Sequence, residues 1–286
     1  MPELPEVETI RRDLSQYFSG LVLDEIAVFG KRTLRRSLWT SQEIAEALEG
    51  LVLVEVTRYG KFILIGFGSA ATNVKHYLVV HLGMSGRFVR KAALLNCEND
   101  HTKLRLRFGA QELVFWDPRT FGEVFLEDEL DQDGRPGSLS MTLGVDPIFD
   151  PKGVSRALFE VTKNSKRPIK SVLLDQGVVA GLGNIYSDEV LFRAHVKPTR
   201  RVGSLNTLEI ETIVHMIQEV LNEAISMRGS SLNDKSYLDL AGLPGEYQQR
   251  VLVYGRHGKA CGNCGSTIVR VQLCGRYSSY CQNCQR

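Results

Sequence analysis

Past Glu246 the chain has no acidic side chain: its last forty residues carry five arginines and one lysine against no Asp or Glu. A cationic stretch without compensating anions is the footprint of a polyanionic partner, and nucleic acid is the first candidate. Long apolar runs are also missing. No stretch approaches the roughly twenty apolar residues that a membrane helix requires, so no membrane association is expected. Behind Met1-Pro-Glu-Leu-Pro-Glu6 there is no basic segment followed by a hydrophobic one, which excludes a secretory leader. Internal repeats and low-complexity tracts are absent too, so solenoids and linker-like chains drop out. What remains is a cytoplasmic, globular protein.

At 286 residues the chain exceeds one typical core, and two domains with a small appendage are expected. The formal net charge of +2 hides an asymmetry: residues 1–150 carry 17 Lys+Arg against 22 Asp+Glu, and residues 151–286 carry 18 against 11. Basicity is concentrated in the second half.

The opening stretch reads as a helix entrance. Pro5 suits a first helical position, where its missing N–H costs nothing, and Val7, Ile10, Leu14 and Phe18 follow at helical spacing. Short β-like runs come next at 51–56, 61–65, 77–82, 103–108 and 112–116, separated by glycine-containing turns at the spacing of a sandwich or barrel. Turn formers from Asp131 to Gly137 break the pattern, and a linker is expected at 134–150. Beyond it, Val154, Ala157, Leu158 and Val161 mark one helix. Ile210, Ile213, Ile217, Val220, Leu221 and Ala224 mark a longer one that Gly229 can end as the residue after its C-cap. The polar stretch 230–248 has no periodicity, and a connection this long is usually functional or disordered.

Two further segments carry chemistry. Cys261-Gly-Asn-Cys264 and Cys281-Gln-Asn-Cys284, sixteen residues apart, have the spacing of a four-thiolate zinc site closed by a hairpin. A closed thiolate shell leaves no open coordination position, so one structural Zn2+ is expected rather than a catalytic one. Disulfides are the rival, disfavoured in a reducing cytosol; Cys97 and Cys274 are left over as inert thiols. Arg276, near the hairpin tip without acidic neighbours, reads as a phosphate contact. The second segment, Gly181-Leu-Gly-Asn-Ile-Tyr186, opens a helix but lacks the third glycine and preceding strand of a dinucleotide fingerprint. Asn184 is either a simple N-cap or part of a phosphate site at a helix N-terminus, and these residues alone leave both readings open.

Taken together, Pro2-Glu3-Leu-Pro-Glu6, His81-Leu-Gly-Met-Ser-Gly86, Asp117-Pro-Arg-Thr-Phe-Gly122, Ile169-Lys-Ser-Val-Leu-Leu-Asp-Gln176, the Gly181–Tyr186 segment and the four-cysteine finger resemble the formamidopyrimidine-DNA glycosylases, and the resemblance spans essentially the whole chain. It implies an α+β fold: an N-terminal antiparallel β-sandwich with a leading helix (1–133), a helix-two-turn-helix domain with a lesion-capping loop (151–250), and a zinc-finger β-hairpin (251–286). It implies a repair enzyme that excises oxidised purines from damaged double-stranded DNA and then cleaves the strand as a lyase. Removal of Met1 would leave Pro2 as a secondary amine able to attack the sugar C1′, with Glu3 shuttling protons and Glu6 supporting it. By the same resemblance Lys61 is assigned to the first elimination and Arg276 to the second. An arginine is a poor proton donor, so Arg276 is better described as a phosphate clamp. Met84 and Phe121 correspond to wedges that fill the space of the extruded nucleotide, and Arg119 to the group facing the orphaned base. His101, Lys166, Lys170 and Asn184 correspond to DNA-backbone contacts.

Two other readings compete. An endonuclease VIII-like relative would use the same machinery on oxidised pyrimidines; Leu4, Met84 and the separately placed Arg119 and Phe121 favour the purine branch. A non-catalytic zinc-finger DNA-binding protein would need no free Pro2.

Overall fold

Pro5 lies in the first turn of helix α1 (Leu4–Phe18) in the computed structural model, which describes residues 1–69, 73–90, 101–231 and 237–286. The described chain divides into two units: Met1–Met141 with Met227–Gln248, and Thr142–Ser226 with Gln249–Arg286.

In the first unit, α1 precedes β1 (Glu25–Val28), α2 (Ser41–Leu48), β2 (Val52–Tyr59), β3 (Phe62–Gly68), β4 (His76–His81), β5 (Arg87–Arg90), β6 (Thr102–Phe108), β7 (Gln111–Trp116) and β8 (Glu123–Glu127). Two antiparallel four-stranded sheets result, ordered β2-β3-β4-β8 and β1-β6-β7-β5. Val7, Ile10, Leu14 and Phe18 of α1 join one apolar core with Ile63, Leu78 and Val124 of one sheet and Phe88, Leu104 and Phe115 of the other. Each such side chain contributes about 1.5–3 kcal/mol on burial. The rings of Phe18 and Phe108 meet within that core at 5.2 Å.

The five β-like runs legible in the sequence all become strands, with ends shifted by at most three residues. Four elements had no usable periodicity in a single-sequence reading. Strands β1 and β5 have only four residues each, too few to show an alternation. Strand β8 is buried at three consecutive positions, Val124 to Leu126, and does not alternate. Helix α2 did carry a signal: Thr40 and Glu43 form a capping box, with Glu43 N–H donating to Thr40 Oγ1 at 3.2 Å and Thr40 N–H donating to Glu43 Oε2 at 2.7 Å.

The second unit holds α3 (Pro151–Asn164), α4 (Ile169–Leu173), α5 (Asn184–Arg193), α6 (Thr207–Ser226), β9 (Ile268–Leu273) and β10 (Arg276–Cys281). Asp150 caps α3 by accepting from Gly153 N–H at 2.8 Å. Strands β9 and β10 form the expected hairpin, with Leu273 opposite Arg276. Its two-residue turn places Cys274 at φ 49° and Gly275 at φ 74°, the positive pair that suits the twist of a hairpin. Phe192 of α5, Val253, Ile268, Cys261 and Cys281 form a small core under the finger. Beside it the fully buried Glu189 accepts from three successive N–H groups, Leu252 (2.8 Å), Val253 (2.9 Å) and Tyr254 (2.8 Å).

The end of α6 departs from expectation. The helix stops at Ser226, three residues before Gly229. Arg228, not glycine, is the first residue with positive φ (58°). Ion pairs from its guanidinium to Asp13 (2.6 Å) and Asp239 (2.7 Å) hold it there.

Candidate active site and nucleic-acid interface

The head of α1 is buried. Glu3 is 2% and Glu6 1% exposed, and Pro2 is buried beside them. Glu6 Oε2 accepts from Glu3 N–H at 2.8 Å, and Glu6 Oε1 accepts from Ser230 N–H at 2.7 Å. One carboxylate therefore holds both the start of the chain and the base of the 230–248 loop. Residues 232–236 of that loop fall outside the described residues. Its flanks are tied to α1: Leu240 N–H donates to Asp13 Oδ2 at 3.3 Å, and Tyr237 and Leu240 enter the core.

Lys61, 7% exposed, sits in the turn from β2 to β3, where Gly60 takes φ 55°. Arg58, fully buried, donates to Gly60 O at 2.9 Å and to Glu8 Oε2 at 3.2 Å. The backbone of Lys61 is thus linked to α1 through one buried ion pair. Burial alone would raise the Glu8 carboxyl, but Arg11, Arg12 and Arg58 around it outweigh that and hold it below the usual range.

Met84, Arg119 and Phe121 belong to one assembly. Met84 is 41% exposed in the turn after β4. Gly83, at φ 66°, lies so close to the Asp117–Gly122 turn that a Cβ there would come 2.5 Å from the carbonyl carbon of Phe121. Asp117, fully buried, accepts from Ser85 Oγ at 2.6 Å on one loop and from Gly122 N–H at 2.7 Å on the other. The exposed Arg119 guanidinium stands 5.0 Å from the Phe121 ring. Alongside, His101 packs edge-on against Trp116 at 5.6 Å, and its carbonyl accepts from Asp117 N–H at 2.9 Å. Cys97 and the rest of 91–100 lie outside the described residues.

In the second unit, Asn184, Lys170 and Arg276 converge on one strand end. Asn184 is not an N-cap: Gly183 occupies that position, and Asn184 is the first helical residue. Its Nδ2 donates to Tyr277 O at 3.0 Å, while its Oδ1 is buried without a hydrogen-bond partner among the described residues. Lys170 is 1% exposed and reaches Asp188 Oδ1 at 2.6 Å and Tyr277 O at 3.5 Å. Asp188 also accepts from Ser278 Oγ (2.5 Å) and Ser279 N–H (2.9 Å). The exposed Arg276 is the residue before Tyr277, so its backbone is fixed by this buried cluster. Lys166 stands apart, exposed in a concavity of about 380 Å³ with Thr162, Lys163 and Arg201.

The sulfur atoms of Cys261, Cys264, Cys281 and Cys284 all lie within 4.8 Å of one another. Two of the separations are 3.8 Å (Cys261–Cys284) and 3.5 Å (Cys264–Cys281). A tetrahedron with metal–sulfur bonds of about 2.3 Å has edges of about 3.8 Å, so the cluster can hold a metal ion. Among the described residues no helix is long and apolar enough to cross a membrane.

Single-sequence reasoning passed over Glu8, Arg58, Asp13, Asp188 and Glu189. All are charged residues, and only the pairing of distant segments shows that they are buried.

A two-sheet unit with a buried Pro-Glu head, a helical unit and a four-cysteine hairpin define an α+β protein of the helix-two-turn-helix class. Residues 143–236 match the model of the formamidopyrimidine-DNA glycosylase H2TH domain, and residues 1–124 that of the N-terminal domain of the same enzymes. The formamidopyrimidine-DNA glycosylase of Thermus thermophilus is 38% identical over 285 residues, covering 100% of this chain and 98% of that one. That of Desulfitobacterium hafniense is 38% identical over 286 residues, covering 100% of both. The crystal structure of the Thermus thermophilus enzyme superposes with a TM-score of 0.84 over 99% of this chain and 98% of its own. Lactococcus lactis Fpg in complex with DNA containing an abasic site gives 0.85 at 31% identity, covering 99% of both chains. The chain belongs to the formamidopyrimidine-DNA glycosylase family.

Proposed function

We propose that this protein removes oxidised purines, including 8-oxoguanine, from double-stranded DNA and then cleaves the strand at the resulting abasic site. The observation that carries the reading is the Glu6 carboxylate, which joins the Pro2-Glu3 start (2.8 Å) to the base of the 230–248 loop (2.7 Å). A group that attacks the sugar and a segment that encloses the base are thereby tied to one atom pair.

After removal of Met1, the Pro2 nitrogen attacks C1′. The N-glycosidic bond breaks, its electron pair and a proton leave with the base, and an iminium joins Pro2 to the opened sugar. Glu3 carries the proton between the leaving group and the sugar oxygen. The iminium acidifies the C2′ hydrogen. Its removal, assigned to Lys61, expels the 3′ phosphate, and a second elimination expels the 5′ phosphate. Arg276 and Asn184 bind the phosphate at the reacting nucleotide, and the buried Lys170–Asp188 pair holds the strand that presents Arg276. Met84 and Phe121 fill the space left by the extruded nucleotide, which offsets part of the few kcal/mol of lost stacking. Arg119 faces the orphaned base. His101 and Lys166 complete the backbone contacts, whereas Lys170, expected to be one of them, is buried on Asp188 and acts through the strand instead.

The four-cysteine cluster fits one structural Zn2+ held by Cys261, Cys264, Cys281 and Cys284. When bound there, the ion would make the hairpin that carries Arg276 rigid, and the closed four-thiolate shell would leave it no open position for chemistry. The enzyme acts as a cytoplasmic, nucleoid-associated monomer.

Borohydride trapping tests this directly, with one duplex carrying 8-oxoguanine opposite cytosine and another carrying an oxidised pyrimidine opposite its purine partner. A covalent adduct mapped to Pro2, formed faster with the purine lesion, is expected. Trapping that persists at full rate with an acetylated N-terminus would overturn the nucleophile. Preference for the pyrimidine would move the protein to the endonuclease VIII-like branch.

A further inference from the structure

The segment Gly30-Lys-Arg-Thr-Leu-Arg-Arg-Ser-Leu-Trp39 has four cations in ten residues and none of the roles assigned above. Its side chains grip the turn that carries Arg119 and Phe121. Arg35 Nη1 donates to Gly122 O at 2.9 Å and to Arg32 O at 3.0 Å. Arg35 Nη2 donates to Phe121 O at 2.9 Å and pairs with Glu123 Oε1 at 2.7 Å. Three of these contacts are hydrogen bonds and the fourth is an ion pair, and two of the acceptors are consecutive carbonyls of the turn. Arg32 adds a guanidinium 5.5 Å from the Phe121 ring, and Thr33 O accepts from Val124 N–H at 2.9 Å.

The turn needs such a grip. Thr120, a β-branched residue, sits at φ 53°, a strained conformation for a residue with a Cβ that persists only where surrounding contacts over-determine it. Asp117 restrains the turn from its buried side, through Gly122 N–H at 2.7 Å and Arg119 N–H at 3.3 Å. Arg35 restrains it from the other side, through the carbonyls. No residue but arginine has a planar fork that spans two carbonyls and a carboxylate at once; the three protons of a lysine radiate from one point.

We propose that Arg35 is a positioning residue for opposite-base selectivity: it holds the Arg119–Phe121 turn in the one shape from which Arg119 meets the orphaned base. The inference rests on the reading of Arg119 given above. Hydrogen-bond discrimination between bases is lost when the reading group shifts by about an ångström, whereas wedge insertion and backbone binding tolerate more. Loss of Arg35 therefore narrows the spread of rates across opposite bases rather than lowering all rates equally.

The experiment measures single-turnover excision of 8-oxoguanine placed opposite each of the four bases, for the wild type and for Arg119→Ala, Arg35→Met, Arg35→Lys and Arg36→Met. Arg119→Ala and both Arg35 variants should narrow the spread at least ~5-fold, the low end of what one base-edge contact contributes. Arg36, which pairs with Glu123 at 2.8 Å but holds no carbonyl of the turn, should leave the spread intact when changed to Met. Arg35→Lys keeps the charge beside Glu123, so it decides the matter if Arg35→Met does not fold. Arg35 variants that keep the full spread, or that slow all four substrates alike, while Arg119→Ala loses it, would overturn the inference alone. If Arg119→Ala also keeps the spread, the reading of Arg119 fails and takes the inference with it.

Discussion

Alanine at position 229 should be far more damaging than alanine at position 242, although both glycines have φ +80°. An alanine forced into the left-handed region costs roughly 1–2 kcal/mol wherever it sits. At Gly242 that is the whole effect, because nothing lies within 4 Å of the new Cβ. At Gly229 the new Cβ would stand 2.7 Å from Glu6 Oε1 and 2.9 Å from Glu6 Cγ. Glu6 cannot retreat without cost, since it is 1% exposed and its other oxygen accepts from Glu3 N–H at 2.8 Å. Displacing it forfeits the Ser230 N–H bond to a charged acceptor, about 1.5–3 kcal/mol. The Gly229→Ala variant should therefore lose roughly 2.5–5 kcal/mol, and the difference from Gly242→Ala should be about 2 kcal/mol. The chain has two tryptophans, Trp39 and Trp116, and both lie in the first unit, so guanidinium unfolding followed by their fluorescence reports on that unit. Borohydride trapping of Gly229→Ala on lesion duplex should fall as well, because the displaced carboxylate no longer holds the Pro2-Glu3 start. Equal unfolding midpoints for the two variants would refute the tie between Glu6 and the loop.

Changing Cys264 to Ser should release the bound metal and abolish DNA binding, because the hairpin that presents Arg276 loses its cross-link. Metal analysis with a fluorescence-anisotropy titration checks this, and undiminished affinity in the metal-free variant would count against the finger as a DNA element. His81 makes the protein acid-sensitive. Burial pushes its imidazole from 6.5 down to about 4, with Lys61, Arg35 and Arg36 acting in the same direction and Glu123 against it. A depressed folded pKa means that the unfolded chain binds the proton more tightly. The contribution is fully present above pH 6.5 and fades as pH falls toward 4, amounting to about 2 kcal/mol between pH 7.5 and 5 and less to the extent that the partly exposed ring meets water. His81→Gln should flatten stability across that window, and an unchanged pH slope would contradict the assignment.

The sequence made legible whatever depends on neighbours along the chain. The entrance of α1 at Pro5, the five longer strands, the β9–β10 hairpin and the paired Cys-x-x-Cys turns each carry a local signal, and each is present. Elements too short or too evenly buried to show a period, such as β5 and β8, were not legible. The larger gap concerns charge. Glu6, Glu8, Arg58, Asp117, Lys170 and Asp188 would each be placed on a solvated surface by composition alone, yet all are buried. Burying ions in pairs does little for stability, since desolvation offsets most of the attraction, while removing one partner costs about 3–5 kcal/mol. Stability is thus a poor reason for these pairs, and their placement supplies a better one. Arg58 and Glu8 adjoin Lys61 through Gly60, Lys170 and Asp188 adjoin Arg276 through Tyr277, and Asp117 joins the loops of Met84 and Arg119. Each buried charge fixes the backbone beside an exposed or reacting group in the proposed mechanism. Stabilising charge that develops during a reaction requires groups already in place, because reorganising them would consume the gain. A single-sequence reading can find the groups that would react, but the charges that hold them still appear only when distant segments meet.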